Sequence, residues 1–170
     1  MTNSILAAVI LCAGIAAGQT NQANRMKPAD NTFVTKAAEG GMAEVELGNL
    51  AVQKATNEKV KSFGQKMVDD HTKANNDLKS AVAGKGITLP GAIDSKSEVQ
   101  KQRLSNLSGA AFDRAYMEDM VRDHKEDVSE FQKESHSGTD PDVKAFASKT
   151  LPTLQEHLKL AEDTLAAVKK

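Results

Sequence analysis

Four stretches of this chain repeat apolar residues at the three- and four-residue spacing of an amphipathic helix. Each interrupts its apolar stripe near the middle with a carboxylate or an imidazole. These residues are Glu44, His71, His124 (with Asp123 beside it) and His157. An apolar stripe of that width has to be covered, so four such helices are expected to bury their stripes against one another. An antiparallel bundle does this and brings the four side chains to one level of its core. The remaining composition agrees. The chain is 39% hydrophobic but only 4% aromatic, with no Trp and one Tyr, so its core volume comes from Ala, Leu, Val and Met, which favour helices.

The punctuation places the elements. Helix one is expected to begin near Asp30 or Asn31, either a good N-cap. Its stripe runs Phe33, Ala37, Gly41, Glu44, Gly48 and Ala51, and the small residues predict close packing against a neighbour. Helix two spans about Asn57 to Val82 and ends at Gly84, Gly86 and Pro90-Gly91. A long connection, roughly Gly84 to Ser108, holds a short helix over Ser95 to Leu104 and is long enough to cross the bundle. Helix three covers about Gly109 to Ser135. Helix four runs from Pro141, behind the N-cap Asp140, to about Val168. Pro152 inside it predicts a bend, or an extra residue in that turn, because the carbonyl of Ser148 loses its partner.

The chain also reads as duplicated. Val60-Lys61-Ser62-Phe63-Gly64-Gln65-Lys66 opens helix two, and Val143-Lys144-Ala145-Phe146-Ala147-Ser148-Lys149 opens helix four. Helices one and three pair through Phe33 with Phe112 and Glu44 with Asp123. Two helical hairpins joined by a long crossover give an all-α, ferritin-like four-helix bundle.

Imidazole nitrogen and carboxylate oxygen converging in such a core suit Zn, Fe, Mn or Cu. A di-iron carboxylate site requires Glu-x-x-His on two helices. Here Val68, Val121 and Leu154 stand three residues before the histidines, which argues against that site. A mononuclear centre of two or three histidines with Glu44 remains, set against a metal-free polar layer that only fixes the bundle's register. Asp70, Asp123 and Glu156 immediately precede the histidines, about 100° around the helix, and are expected as outer partners or surface charges. Tyr116 is read as core. Gly84-Lys85-Gly86 lacks a phosphate-loop frame, and Ser135, His136 and Asp140 read as turn residues.

A net charge of −1 gives no field to attract nucleic acid or an anionic membrane. Residues 1–18 read as a signal peptide: Ile5 to Ala17 is uncharged and Ala16-Ala17-Gly18 offers a cleavage site before Gln19, although Met1 to Ser4 carries no basic residue. Residues 19–29 are then a flexible spacer and 30–170 the folded domain. Cys12 is expected to leave with the leader, since Leu11 is too large for a lipobox. That leaves a mature chain without cysteine chemistry and without a transmembrane span.

Phe33 to Ala51, Val60 to His71, Phe112 to Met117, the Asp123-His124 pair and Leu151 to Leu158 together resemble an exported bacterial family known as domain of unknown function 4142, sometimes labelled as outer-membrane proteins. The resemblance implies a ferritin-like fold and export, and carries no activity with it. The expectation is therefore a secreted or periplasmic bundle, not an enzyme in the first reading. It would bind one divalent transition metal, Zn or Fe, through Glu44, His71, His124 and His157, with Asp123 as a further candidate, in a metal-binding or stress-associated role. The alternatives are a metal-free structural or interaction module and a mononuclear redox enzyme. A homodimer and outer-membrane association are left open, and the protein partner is unknown.

Overall fold

The computed structural model describes residues 26–169. They form five helices: α1 (Pro28–Lys54), α2 (Glu58–Ala81), α3 (Ser95–Ser105), α4 (Gly109–Ser137) and α5 (Pro141–Val168). The signal-peptide, cleavage-site and Cys12 expectations lie outside the described residues. No described helix is long and apolar enough to cross a membrane.

The long helices α1, α2, α4 and α5 are the four read from the sequence, and α3 lies in the crossover. α1 pairs with α2 and α4 with α5 as antiparallel hairpins. α2 and α4 run the same way, so the crossover has to return along the bundle, which is ferritin-like connectivity. Positive φ at Gly84 and Gly86 (76° and 69°) turns the chain away from the end of α2, a conformation that side chains with a Cβ resist. α3 then straps the seam between α1 and α4. It buries Leu104 and ties down through Lys101 to Glu46 (2.6 Å), Gln100 to Asp123 (2.7 Å) and Arg103 to Asp119.

The core consists of two apolar clusters. Leu47, Phe63, Met67, Phe112, Tyr116 and Met120 fill one end. Phe33, Val34, Leu78, Phe131, Val143 and Phe146 fill the other. Each large side chain buried there contributes about 1.5–3 kcal/mol relative to exposure. The small residues of α1 do what their spacing predicts. A Cβ on Gly48 would lie 2.7 Å from the Gly64 carbonyl oxygen, so α1 and α2 meet backbone to backbone at that level.

Both ends of the bundle are latched across the hairpins. At the start of α4, Asp113 accepts from Thr56 N (3.0 Å), Thr56 Oγ1 (2.6 Å) and Asn57 N (2.9 Å), gripping the α1–α2 turn. At the start of α1, Asp30 accepts from Thr139 N (3.2 Å), Thr139 Oγ1 (2.6 Å) and Asp140 N (2.8 Å), gripping the α4–α5 turn. Burial opposes ionisation of Asp30, yet these bonds hold its carboxyl below the ordinary value.

Three expectations are corrected. α1 starts at Pro28 with Lys27 as N-cap. Asp30 is therefore inside the first turn, buried and spent on the latch rather than capping its own helix, and the helix takes in the last two residues of the expected spacer. Second, the same number of residues separates Asp30 from Asp113, Thr56 from Thr139 and Val60 from Val143. That separation matches Glu44 with Asp127 and Gly41 with His124, not Phe33 with Phe112 or Glu44 with Asp123. Third, of the two outcomes expected at Pro152, a bend or an extra residue, the extra residue is absent, since α5 is α-helical through it with no π turn. Pro152 is exposed, where the Ser148 carbonyl can reach water.

Candidate metal centre

Between the two apolar clusters, α2, α4 and α5 each turn one histidine inward. His124 is fully buried, His157 is 1% exposed and His71 6% exposed. Their ring centroids are 5.4 to 5.7 Å apart in all three pairs. One nitrogen from each ring lies within 4.8 Å of the other two. Sharing one ion at Zn–N distances of about 2.0–2.1 Å requires nitrogens roughly 3.4 Å apart. Side-chain rotations that bring the nitrogens about 1 Å closer would give the triad that spacing.

The hydrogen bonds decide which nitrogens keep a free lone pair. His124 Nδ1 is 3.0 Å from the Met120 carbonyl oxygen, an acceptor only, so Nδ1 carries the proton and Nε2 is left as a lone pair. His157 Nε2 donates to Asp70 Oδ2 at 2.8 Å, which leaves Nδ1 bare. His124 Nε2, His157 Nδ1 and His71 Nε2 are all buried without a hydrogen-bond partner. Outer hydrogen bonds that fix the tautomer and present the other nitrogen are what metal-ligating histidines normally have.

Electrostatics keep the triad neutral. Burial, reinforced by the other two histidines, pushes His71 well below its usual value. Burial and His157 push His124 down to about 3. Burial also lowers His157, against the opposing pull of Asp70. Asp70 itself stays below the ordinary carboxylate range, because its bonds from His157 and Lys66 outweigh its partial burial. Neutral imidazole is the form that binds metal.

Glu44 reaches the same level from α1 without joining the cluster. Its Oε1 is 3.9 Å from His124 Nδ1 and its Oε2 is buried without a partner. Burial, together with Asp127, Asp123 and Asp119, raises its pKa well above that of an ordinary carboxylate. Asp123 turns away, accepting from Gln100 and pairing with Arg122 at 3.1 Å. Tyr116 is a core residue: its ring is fully buried and stacked on Phe112, and its hydroxyl has no partner.

Sequence reasoning placed Asp70 among the outer partners or surface charges without saying which histidine it serves, and missed Asp127. Asp70 serves His157 on the neighbouring helix rather than the histidine beside it in sequence. Asp127 is partly buried next to the acidic side of Glu44, and burial with Asp123, Glu130 and Glu126 raises it to about 7. The duplication carried a signal for Asp127, which stands to Glu44 as Asp113 stands to Asp30.

The sequence profile described as Domain of unknown function (DUF4142) matches residues 16–164, and the chain belongs to that family. No curated protein matches it. Among solved structures it is similar to a DUF305 fragment from Deinococcus radiodurans, with a TM-score of 0.74 at 16% identity, over 84% of this chain and 99% of that one. It is also similar to a DUF305 protein from Streptomyces coelicolor, described as a candidate secreted protein, with a TM-score of 0.69 at 16% identity over 83% and 92% of the two chains. At this identity the likeness is one of fold.

Proposed function

We propose that this DUF4142 protein acts after export, as a non-catalytic or stress-associated binder of one divalent transition ion held by His71, His124 and His157, with Glu44 as the adjacent carboxylate. The observation that carries the reading is three buried histidines with one nitrogen each within 4.8 Å of the other two, every ring also keeping a buried nitrogen without a hydrogen-bond partner. A polar layer built only for register would pair those atoms, because each buried orphan costs about 1–3 kcal/mol. Three imidazoles favour Zn²⁺, Fe²⁺, Co²⁺ or Cu²⁺ over Mg²⁺ or Ca²⁺, which take oxygen ligands. Three protein ligands leave a fourth position for water or for Glu44.

The test is metal analysis of protein purified without a histidine tag, together with its melting temperature in added Zn²⁺. Saturating metal binds only the folded state and raises the melting point. His71→Ala and His157→Ala should each abolish the rise. His136→Ala should retain it, since that histidine is exposed on the last turn of α4. No change in melting temperature at neutral pH would leave the layer as a structural one and end the metal reading.

A further inference from the structure

A cleft of about 280 Å³ opens on the α1–α4 seam beside α3. Glu44 and six other acidic residues line it, against two lysines. Both lysines are occupied at the rim, Lys36 by Glu130 and Lys96 by Glu126. Asp123 is held by Gln100 and Arg122, and Asp94 caps α3 by accepting from Ser97 N. Among the described residues Asp127 makes neither an ion pair nor a hydrogen bond. Glu44, only 3% exposed, brings an unpartnered carboxylate oxygen to this wall.

Two connections lead inward. Glu44 itself spans from the cleft to the ring of His124, reaching its Nδ1 edge at 3.9 Å. Gly40 and Asp127 line both the cleft and a second, narrower crevice whose wall includes His71. A Cβ built on Gly40 meets nothing within 4 Å, so the missing side chain leaves open space at that junction. The opposite approach, between α2 and α5, is guarded by a cation: Lys66 sits 3.0 Å from Asp70, on the outer side of His157.

The geometry points to a loading route for hydrated divalent cations. The acidic cleft gathers the ion, and Glu44 with Asp127 passes it to the three histidines. This rests on the reading of the triad as a metal centre and adds where the ion enters. Oxygen donors exchange water-clad cations readily, while nitrogen donors select and retain a transition ion. An acidic cleft with low-dielectric walls also raises the local cation concentration, and so the association rate, in a salt-dependent way.

The test uses the full-length exported chain without a tag, stripped of metal and mixed with Co²⁺, whose visible absorption reports nitrogen coordination. Gly40→Leu puts a side chain into the open junction and raises helix propensity, so the fold should survive. It should slow association about five-fold or more while leaving the final absorbance unchanged. The double variant Glu126→Gln/Glu130→Gln should slow association about three-fold and flatten its dependence on salt. The control Glu58→Gln/Glu162→Gln, at exposed acids outside the cleft, should load at the parent rate. A histidine-dependent band that forms at unchanged rate in both cleft variants, or that slows equally in the control, would overturn the route and leave the centre standing. Absence of any histidine-dependent band in the parent would overturn both.

Discussion

The two seams that flank the histidine triad are built on opposite principles. On the α2–α5 side the polar groups are matched. His157 gives its proton to Asp70, Asp70 also receives Lys66 at 3.0 Å, and Lys66 reaches Glu156 at 3.4 Å. On the α1–α4 side they are not. Glu44 has an orphan oxygen, Asp127 is pushed to about 7, and Asp123 is raised by burial despite its bond from Gln100. The matched seam fixes the orientation of the His157 ring. The unmatched seam stores acidic groups that a cation would relieve. Burying carboxylates without counterions opposes folding, so this asymmetry sets stability against binding within one layer of the core.

Acidification gives the largest expected effect and separates the seams by sign. His124 titrates at about 3 in the folded protein against an ordinary 6.5, with His71 and His157 also lowered. The unfolded chain therefore takes up protons that the fold refuses, and stability falls as pH drops below about 6.5. The slope approaches ~1.4 kcal/mol per pH unit for each histidine that stays neutral. Glu44 acts the other way. Raised in the fold, it holds a proton that the unfolded chain releases above about 4.5, so it lowers stability above that pH and stops doing so below it. Urea unfolding of the metal-free protein across pH 4.5–7.5 should show a net loss towards acid. A flat profile would mean that Glu44 and Asp127, both raised in the fold, offset the triad in full, and the same scan on Glu44→Gln would then bring the acid loss back.

Breaking the matched seam comes next. Asp70→Ala leaves His157 Nε2–H without its acceptor and frees the ring to choose the other tautomer. Metal affinity should fall about 10–100-fold, as for other outer partners of ligating histidines. The metal-free protein should lose about 1–2 kcal/mol. Competition against a chelator measures the first and urea midpoints the second; unchanged affinity would show that Asp70 does not position the ligand.

The smallest effect lies on the unmatched seam. Glu44→Gln replaces a carboxyl whose ionisation burial and the neighbouring acids oppose, so the metal-free protein at neutral pH should keep its stability or gain up to about 1 kcal/mol. Its metal affinity should still fall, since a charge that would ionise on binding is gone. A clear loss of metal-free stability would place Glu44 among the matched groups and dissolve the contrast.

Much of this was legible in the residues. Periodicity located the four long helices, the connection length required a crossover, and the mid-helix positions of His71, His124 and His157 placed them in one layer. What was hidden depended on rotation and neighbours. Asp70 lies about 100° around α2 from His71, the position of an outer partner or a surface charge, and only the arrival of His157 from α5 on that side decides between the two. Asp123 had the same claim by sequence, but α3 supplies Gln100 and draws it away. Asp30 has the chemistry of an N-cap, and only the arrival of the α4–α5 turn shows why it is buried within the first turn of its helix.

The two latches also bear on how the chain finds its fold. Each hairpin is local in sequence and can zip up without the other. The latches join residues 57 and 109 positions apart, so neither can form until the crossover has returned and the hairpins have docked. Loop closure of that length delays them to the end of assembly. Contacts made after the rate-limiting barrier leave the folding rate alone and govern how slowly the native state comes apart. Asp30 and Asp113 thus act as brakes on unfolding, one at each end of the bundle, and shortening either side chain should shorten the lifetime of the native protein without changing how fast it forms.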